Sequence, residues 1–137
     1  MKLITSLLLC LILTSGCASI TPESVINGHK AKREEVLMGG VNENFEIAQK
    51  LLPFCYPDVD IPILGPPALT SQIINTDDYK AILLGNDVKG GTGYFEFRQF
   101  HENTRLTAYS NEWYDMDTRL FHRYVDSIIK RDGTDCR

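Results

Sequence analysis

Between Gly93 and Phe100 the chain reads GYFEFRQF, and this octapeptide limits the fold more than any other stretch. Phe95 and Phe97 alternate with Glu96 and Arg98, a period of two that suits a strand with one buried face. Arg105–Ser110 (RLTAYS) follows after the turn residues HEN, so the two runs are expected to close an antiparallel hairpin through His101–Thr104. That loop places Phe97 opposite Ala108 and Gln99 opposite Leu106. Phe95, Phe97, Leu106 and Ala108 then share one apolar face. Two more short segments, Leu69–Asn75 and Lys80–Leu84, precede the hairpin and are set apart by TDD and GNDVKGG.

Helical patterns flank these strands. In NENFEIAQKLL (Asn42–Leu52), Phe45, Ala48 and Leu52 fall on one face, with Asn42 as expected N-cap and Pro53 as expected stop. Prolines at 53, 57, 62, 66 and 67 then make Pro53–Pro67 an extended crossing. Near the end, TRLFHRYVDSIIKR places Phe121, Tyr124, Val125 and Ile128 at the spacing of a buried helical stripe. Asp117 is the expected cap, Asp115 the alternative, and Gly133 ends the helix region. Val36–Met38 reads as a short strand broken by Gly39-Gly40. The expected class is α+β: an antiparallel four-stranded meander packed with a short N-terminal helix and a longer C-terminal helix.

The start of the chain speaks to location. After Lys2, the apolar run Leu3–Leu13 is about 11 residues, too short to span a hydrocarbon core of about 30 Å. It fits the h-region of a secretory signal. The run ends in Thr14-Ser15-Gly16-Cys17, which resembles the lipobox of bacterial lipoproteins, although Thr14 stands where leucine is commonest. An ordinary secretory signal cleaved after Ala18 is the other reading. Cys10 is no competing site, because bulky Leu9 precedes it.

The resemblance implies that residues 1–16 are a lipoprotein signal peptide and that Cys17 is lipidated, with diacylglycerol on its sulfur and a palmitate-type chain on its amine. Two or three chains make a durable anchor where one does not. Residues 17–33 are then the lipidated cysteine and a flexible tether with a reach of about 20 Å. Residues 34–137 form a single α+β periplasmic domain. Ala18, in place of the aspartate that retains enterobacterial lipoproteins in the inner membrane, points to the outer membrane's periplasmic face rather than to the inner membrane or the cell surface. The order of elements also resembles small periplasmic α+β lipoprotein domains and, more distantly, helix-grip folds, a likeness that carries no function.

Removal of the first 16 of the 137 residues takes one of 14 basic side chains and no acidic one, leaving 13 against 18. Such a balance offers no electrostatic footprint for nucleic acid. Arg119, Arg123, Lys130 and Arg131 cluster near the C-terminus, and cations late in a helix suit its dipole on a solvated face. Of the four cysteines, Cys10 leaves with the signal and Cys17 is consumed by lipid. Cys55 and Cys136 remain, and in an exported protein they are expected to form a disulfide, with two free thiols as the alternative.

Nothing in the remainder assembles a reactive set. His29, His101 and His122 lack the spacing that puts two metal ligands on one helix face. WYDMD (Trp113–Asp117) sets two carboxylates beside two aromatics, but at a separation of two residues they do not define the opposed pair of a glycosidase. GNDVKGGTG (Gly85–Gly93) lacks the closing Gly-Lys-Ser/Thr of a phosphate-binding loop and is read as a β-turn. The expectation is a non-enzymatic, lipid-anchored interaction or structural module with an envelope protein as partner, no metal and no cofactor. The alternative is a tethered module that binds a small apolar ligand between the sheet and the C-terminal helix.

Overall fold

The computed structural model describes residues 20–62, 69–86, 90–111 and 115–136. Its elements are helix α1 (Pro22–Gly28), strand β1 (Ala31–Leu37), helix α2 (Val41–Cys55), strands β2 (Thr70–Asn75), β3 (Tyr79–Asn86), β4 (Gly90–Phe100) and β5 (Asn103–Ser110), helix α3 (Asp115–Lys130) and a terminal 3₁₀ turn (Thr134–Cys136). The strands form one antiparallel sheet in the order β1-β5-β4-β3-β2. The class is α+β, as expected, but the meander β2–β5 is extended by a fifth strand. β1 pairs with β5 from Ala31↔Ser110 to Leu37↔Thr104, where only Val36–Met38 had the look of a strand. Its sequence AKREEVL hides it, because an edge strand can leave charged side chains in water on both faces.

The β4–β5 turn is tighter than its sequence suggests. Phe100 pairs with Asn103, so only His101 and Glu102 lie outside the ladder, and His101 takes a left-handed φ of 55° to close it. Phe97 therefore faces Leu106, and Phe95 faces Ala108. This register lies two residues from the expected one, and an even shift leaves every side chain on its predicted face.

One face of the sheet, hereafter the inner face, carries α2 and α3. Ile82, Leu84, Phe95, Phe97, Leu106 and Ala108 from the strands meet Phe45, Ala48, Leu52, Phe121, Tyr124, Val125 and Ile128 from the helices, all buried. Phe95 packs edge-on against Tyr124 with ring centres 4.9 Å apart, and the Tyr124 hydroxyl donates to the Ala48 carbonyl at 2.7 Å. Helix α2 runs past both expected ends: Gly40 rather than Asn42 is the N-cap, and Pro53 lies inside the last turn. Pro53 and the Gln49 carbonyl it cannot serve are on the exposed side, while buried Leu51, Leu52 and Cys55 hold the turn to the core. Helix α3 begins at Asp115, two residues before the expected cap Asp117, and the residue preceding it lies outside the described ones.

The β1–α2 link is held by a buried polar knot. Asn44, 1% exposed, directs its amide at the carbonyls of Met38 and Gly40 and at the Thr104 hydroxyl, at 3.0–3.1 Å. Thr104 in turn donates to the Gly39 carbonyl at 2.9 Å. Gly39 has a φ of 93°, a conformation that favours glycine.

The opposite, outer face carries α1, which replaces much of the expected tether. Thr21 caps this helix by accepting from the Ser24 N–H at 3.2 Å, Pro22 occupies its first turn, and Val25 is fully buried. Ile20, Val25 and Ile26 pack with Leu83, Tyr94 and Tyr109 of the sheet. The helix fits because β4 offers no side chain beneath it: a Cβ on Gly91 would lie 2.6 Å from Val25 Cγ2. Residues 20–33 therefore belong to the folded body rather than to a tether.

Candidate functional site

Of the residues singled out in the sequence, Cys17 lies outside the described ones, as do Trp113 and Tyr114, and the side chains of Asp115 and Asp117 are likewise not described. Cys55 and Cys136 are joined by a disulfide, Cα–Cα 4.7 Å, which ties the terminal 3₁₀ turn to the end of α2 across 81 residues. Buried Ser127 of α3 sets its hydroxyl 3.3 Å from the Cys136 sulfur. Gly133 follows over Phe54 and Leu51, so the crosslink closes the terminal segment onto α2.

The three histidines lie on three different elements. His29 ends α1, with Nδ1 2.6 Å from the Ile26 carbonyl and its ring edge-on to Tyr109. His101 sits in the β4–β5 turn, and His122 is on the exposed side of α3. Among the described residues no three His, Cys, Asp or Glu side chains gather as a metal site. The glycine-rich stretch joins β3 to β4, with residues 87–89 outside the described ones, and its Gly91 serves the close approach of α1.

Among the described residues, two surface features stand out as candidates. A groove of about 520 Å³ runs between the start of α2 (Gly40–Asn42) and the β2–β3 turn (Thr76–Asp78), with Lys80 and Gln99 on its floor. Its lining mixes two aspartates with one lysine and has no convergent nucleophile–base pair. A second cavity, of about 240 Å³, lies along the sheet edge between Val36–Met38 of the β1 end and Ile128, Ile129 and Arg131 of the α3 end. Here three large apolar side chains are open to solvent: Met38 is 80% exposed, Val36 56% and Ile129 42%. Helix α3 runs along β1 at this edge. Arg33 of β1 reaches Asp126 at 2.7 Å and Glu35 at 2.6 Å, and Arg131 reaches the Met38 carbonyl at 2.8 Å and Glu43 at 2.5 Å. The sequence signal for this patch was the run VLM before Gly39-Gly40, which reads as a strand end and gives no warning that two of its three side chains stay in water.

Beyond α1, the outer face bears a polar and aromatic ladder. The Tyr94 hydroxyl donates to Glu96 at 2.8 Å, and burial, reinforced by that carboxylate, holds the phenol far above its usual range. Glu96 also binds Arg98, whose guanidinium lies 4.4 Å over the Tyr79 ring. Arg105 covers Phe100 in the same way at 4.1 Å. Every charge in this ladder already has a partner on the sheet. Among the described residues, no helix is long and apolar enough to cross a membrane. Compared with protein-family models, with curated proteins and with solved structures, the chain matches none of them.

Proposed function

We propose that the protein is a lipid-anchored envelope lipoprotein, held by acylated Cys17 at the periplasmic face of the outer membrane, whose domain is a non-enzymatic interaction module. The observation that carries this reading is the short apolar run ending in Thr14-Ser15-Gly16-Cys17, and the position of Ile20 says how such an anchor would hold the domain. Ile20 packs against Gly85 at the β3–β4 end of the sheet, three residues after Cys17. Three extended residues span at most about 10 Å, so an anchor at Cys17 keeps that end of the sheet close to the bilayer.

The packing of the inner face favours this module over the apolar-ligand binder. Phe95 is in ring contact with both Phe121 and Tyr124, at 5.8 and 4.9 Å, so side chains fill the space between sheet and α3. The test is the intact mass of the protein extracted from membranes. A mature chain starting at Cys17 with two or three acyl chains is expected, together with release into the soluble fraction by Cys17→Ser. A chain starting at Ser19 without acyl groups sinks the reading.

A further inference from the structure

The two edges of the sheet are finished differently. At β2, Val59 bridges Leu69, the Asp60 N–H donates to the Leu69 carbonyl at 2.8 Å, and the Asp60 carboxylate accepts from the Ser71 N–H at 2.8 Å. These contacts occupy the beginning of that edge. Among the described residues, no backbone hydrogen bond reaches the outer side of β1, a seven-residue edge strand.

We propose that β1 pairs with β1 of a second copy of this chain, antiparallel about a two-fold axis normal to the sheet. Such an axis keeps inner face with inner face, so directly paired residues must point to the same side. With Glu34 on the axis, all seven residues find partners. Ala31 meets Leu37 of the second copy, Lys32 meets Val36, and Arg33 meets Glu35, each twice. Moving the axis by one residue pairs only five residues of the strand and sets Arg33 or Glu35 against itself. The chosen register leaves one like-charge pair, Glu34 with its copy, and Lys32 at 3.2 Å from each Glu34 offsets it.

The same axis brings the exposed apolar patch into the contact. Because α3 runs along β1, the two α3 helices approach antiparallel, each presenting the outward stripe His122, Asp126 and Ile129. Ile129 and Met38 of one copy then lie near the beginning of β1 and α3 of the other. A stable dimer needs about 800 Å² from each partner, more than a seven-residue ladder alone supplies, so the helix stripe is a necessary part of the contact. The axis sets the two chain starts at opposite ends of the ten-stranded sheet but leaves both α1 helices on one side of it, so two anchored chain starts can enter a bilayer that the α1 side faces. This last argument rests on the lipid-anchor reading; the register does not.

The test uses the full chain, exported and analysed without reductant. Cα atoms of directly paired antiparallel residues lie about 4.5–5.5 Å apart, within disulfide range. Glu34→Cys is expected to give a covalent dimer. Lys32→Cys and Val36→Cys should stay monomeric alone and crosslink when co-expressed with tags of different size. A monomer at position 34, equal crosslinking at all three positions, or a crosslink only to a different protein overturns the pairing. As a check that needs no added cysteine, native mass spectrometry of the unsubstituted chain in detergent should read twice the monomer mass. The same spectra read the acyl chains on Cys17, so a dimer without lipid sinks only the anchor, and a lipidated monomer sinks only the pairing.

Discussion

The two faces of the sheet are built from the same strands and covered in unlike ways. The inner face meets a 15-residue and a 16-residue helix, and its rings interlock with those of α3. The outer face meets a helix of seven residues that buries one side chain fully, and the rest of it is a charged and aromatic ladder. Stability therefore resides on one side and variable surface on the other. The sharpest way to break this comparison is Phe95→Ala on the inner face. Phe95 is fully buried, and truncation of a core phenylalanine costs about 3–5 kcal/mol. Urea denaturation followed by circular dichroism is expected to show that loss, with the slope of the transition unchanged.

The disulfide belongs to the inner layer, although it ties only its rim. In the chain-entropy account, closing a loop with an 81-residue separation stabilises by up to about 4.5 kcal/mol, and native crosslinks usually deliver about 2–4. Replacing Cys55 and Cys136 by serine together should lower the denaturation midpoint by that amount while leaving the sheet's spectrum intact. If the midpoint does not move, the terminal turn is held by Ser127, Gly133 and the Lys130–Asp135 contact instead.

How far each layer was legible in the sequence follows from its covering. Phe95, Phe97, Phe121, Tyr124 and Ile128 announce themselves because burial on a single face imposes a period of two on strands and of 3.6 on helices. Helix α1 buries only Val25 and half-buries Ile26, so two turns leave no period to read. Its signal was in the capping: Thr21 and Ser24 exchange bonds around Pro22, an N-terminal pattern that the segment TPES does contain. β1 escaped for another reason. Its Arg33 pairs with Glu35 on its own strand and with Asp126 of α3, the latter a contact 93 residues away that no local pattern encodes. The β4–β5 register was missed by two because His101 accepts a left-handed conformation that shortens the turn. The apolar patch of Met38, Val36 and Ile129 is likewise a product of tertiary assembly, not of any motif.

On the outer face, Gly91→Ala sharpens the comparison. The added Cβ meets Val25 Cγ2 at 2.6 Å and the Thr21 carbonyl at 3.2 Å, backbone that cannot yield cheaply. Overpacking of this kind costs about 1–3 kcal/mol. Because α1 is a thin cover, the loss should be concentrated there. Hydrogen exchange is expected to quicken across 22–28 and the neighbouring β4 amides while α2 and α3 keep their protection. Uniform quickening through both layers would mean that the two faces fold as one unit.

Each face also buries a tyrosine. Tyr124 loses about 1 kcal/mol on replacement by phenylalanine, the worth of its bond to Ala48. Its pH signature is more distinctive. Burial raises the Tyr124 phenol well above its usual value of 10, and burial with Glu96 raises Tyr94. The native state then keeps protons that the unfolded chain releases, so stability is fully present below pH 10 and falls as the pH climbs past it. Denaturation midpoints measured from neutral to alkaline pH should fall beyond that point, less steeply in Tyr124→Phe. A flat profile would contradict the burial of both rings.

The smallest effect is expected in the ladder. Arg98 is about half exposed, bound to Glu96 and spread over Tyr79. Exposed ion pairs contribute about 0–1 kcal/mol, and a guanidinium over an aromatic ring at the surface adds a similar amount. Arg98→Ala should therefore shift the midpoint by about 1 kcal/mol or less, and added salt should erase part of the difference. Loss of Arg98 leaves Glu96 with the Tyr94 hydroxyl, which still donates, so no buried charge is orphaned. A cost comparable to Phe95→Ala would mean that the outer ladder is a second core, and the division of labour between the two faces would fail. A small, salt-sensitive cost fits a surface whose sequence is free to vary while the inner face holds the fold.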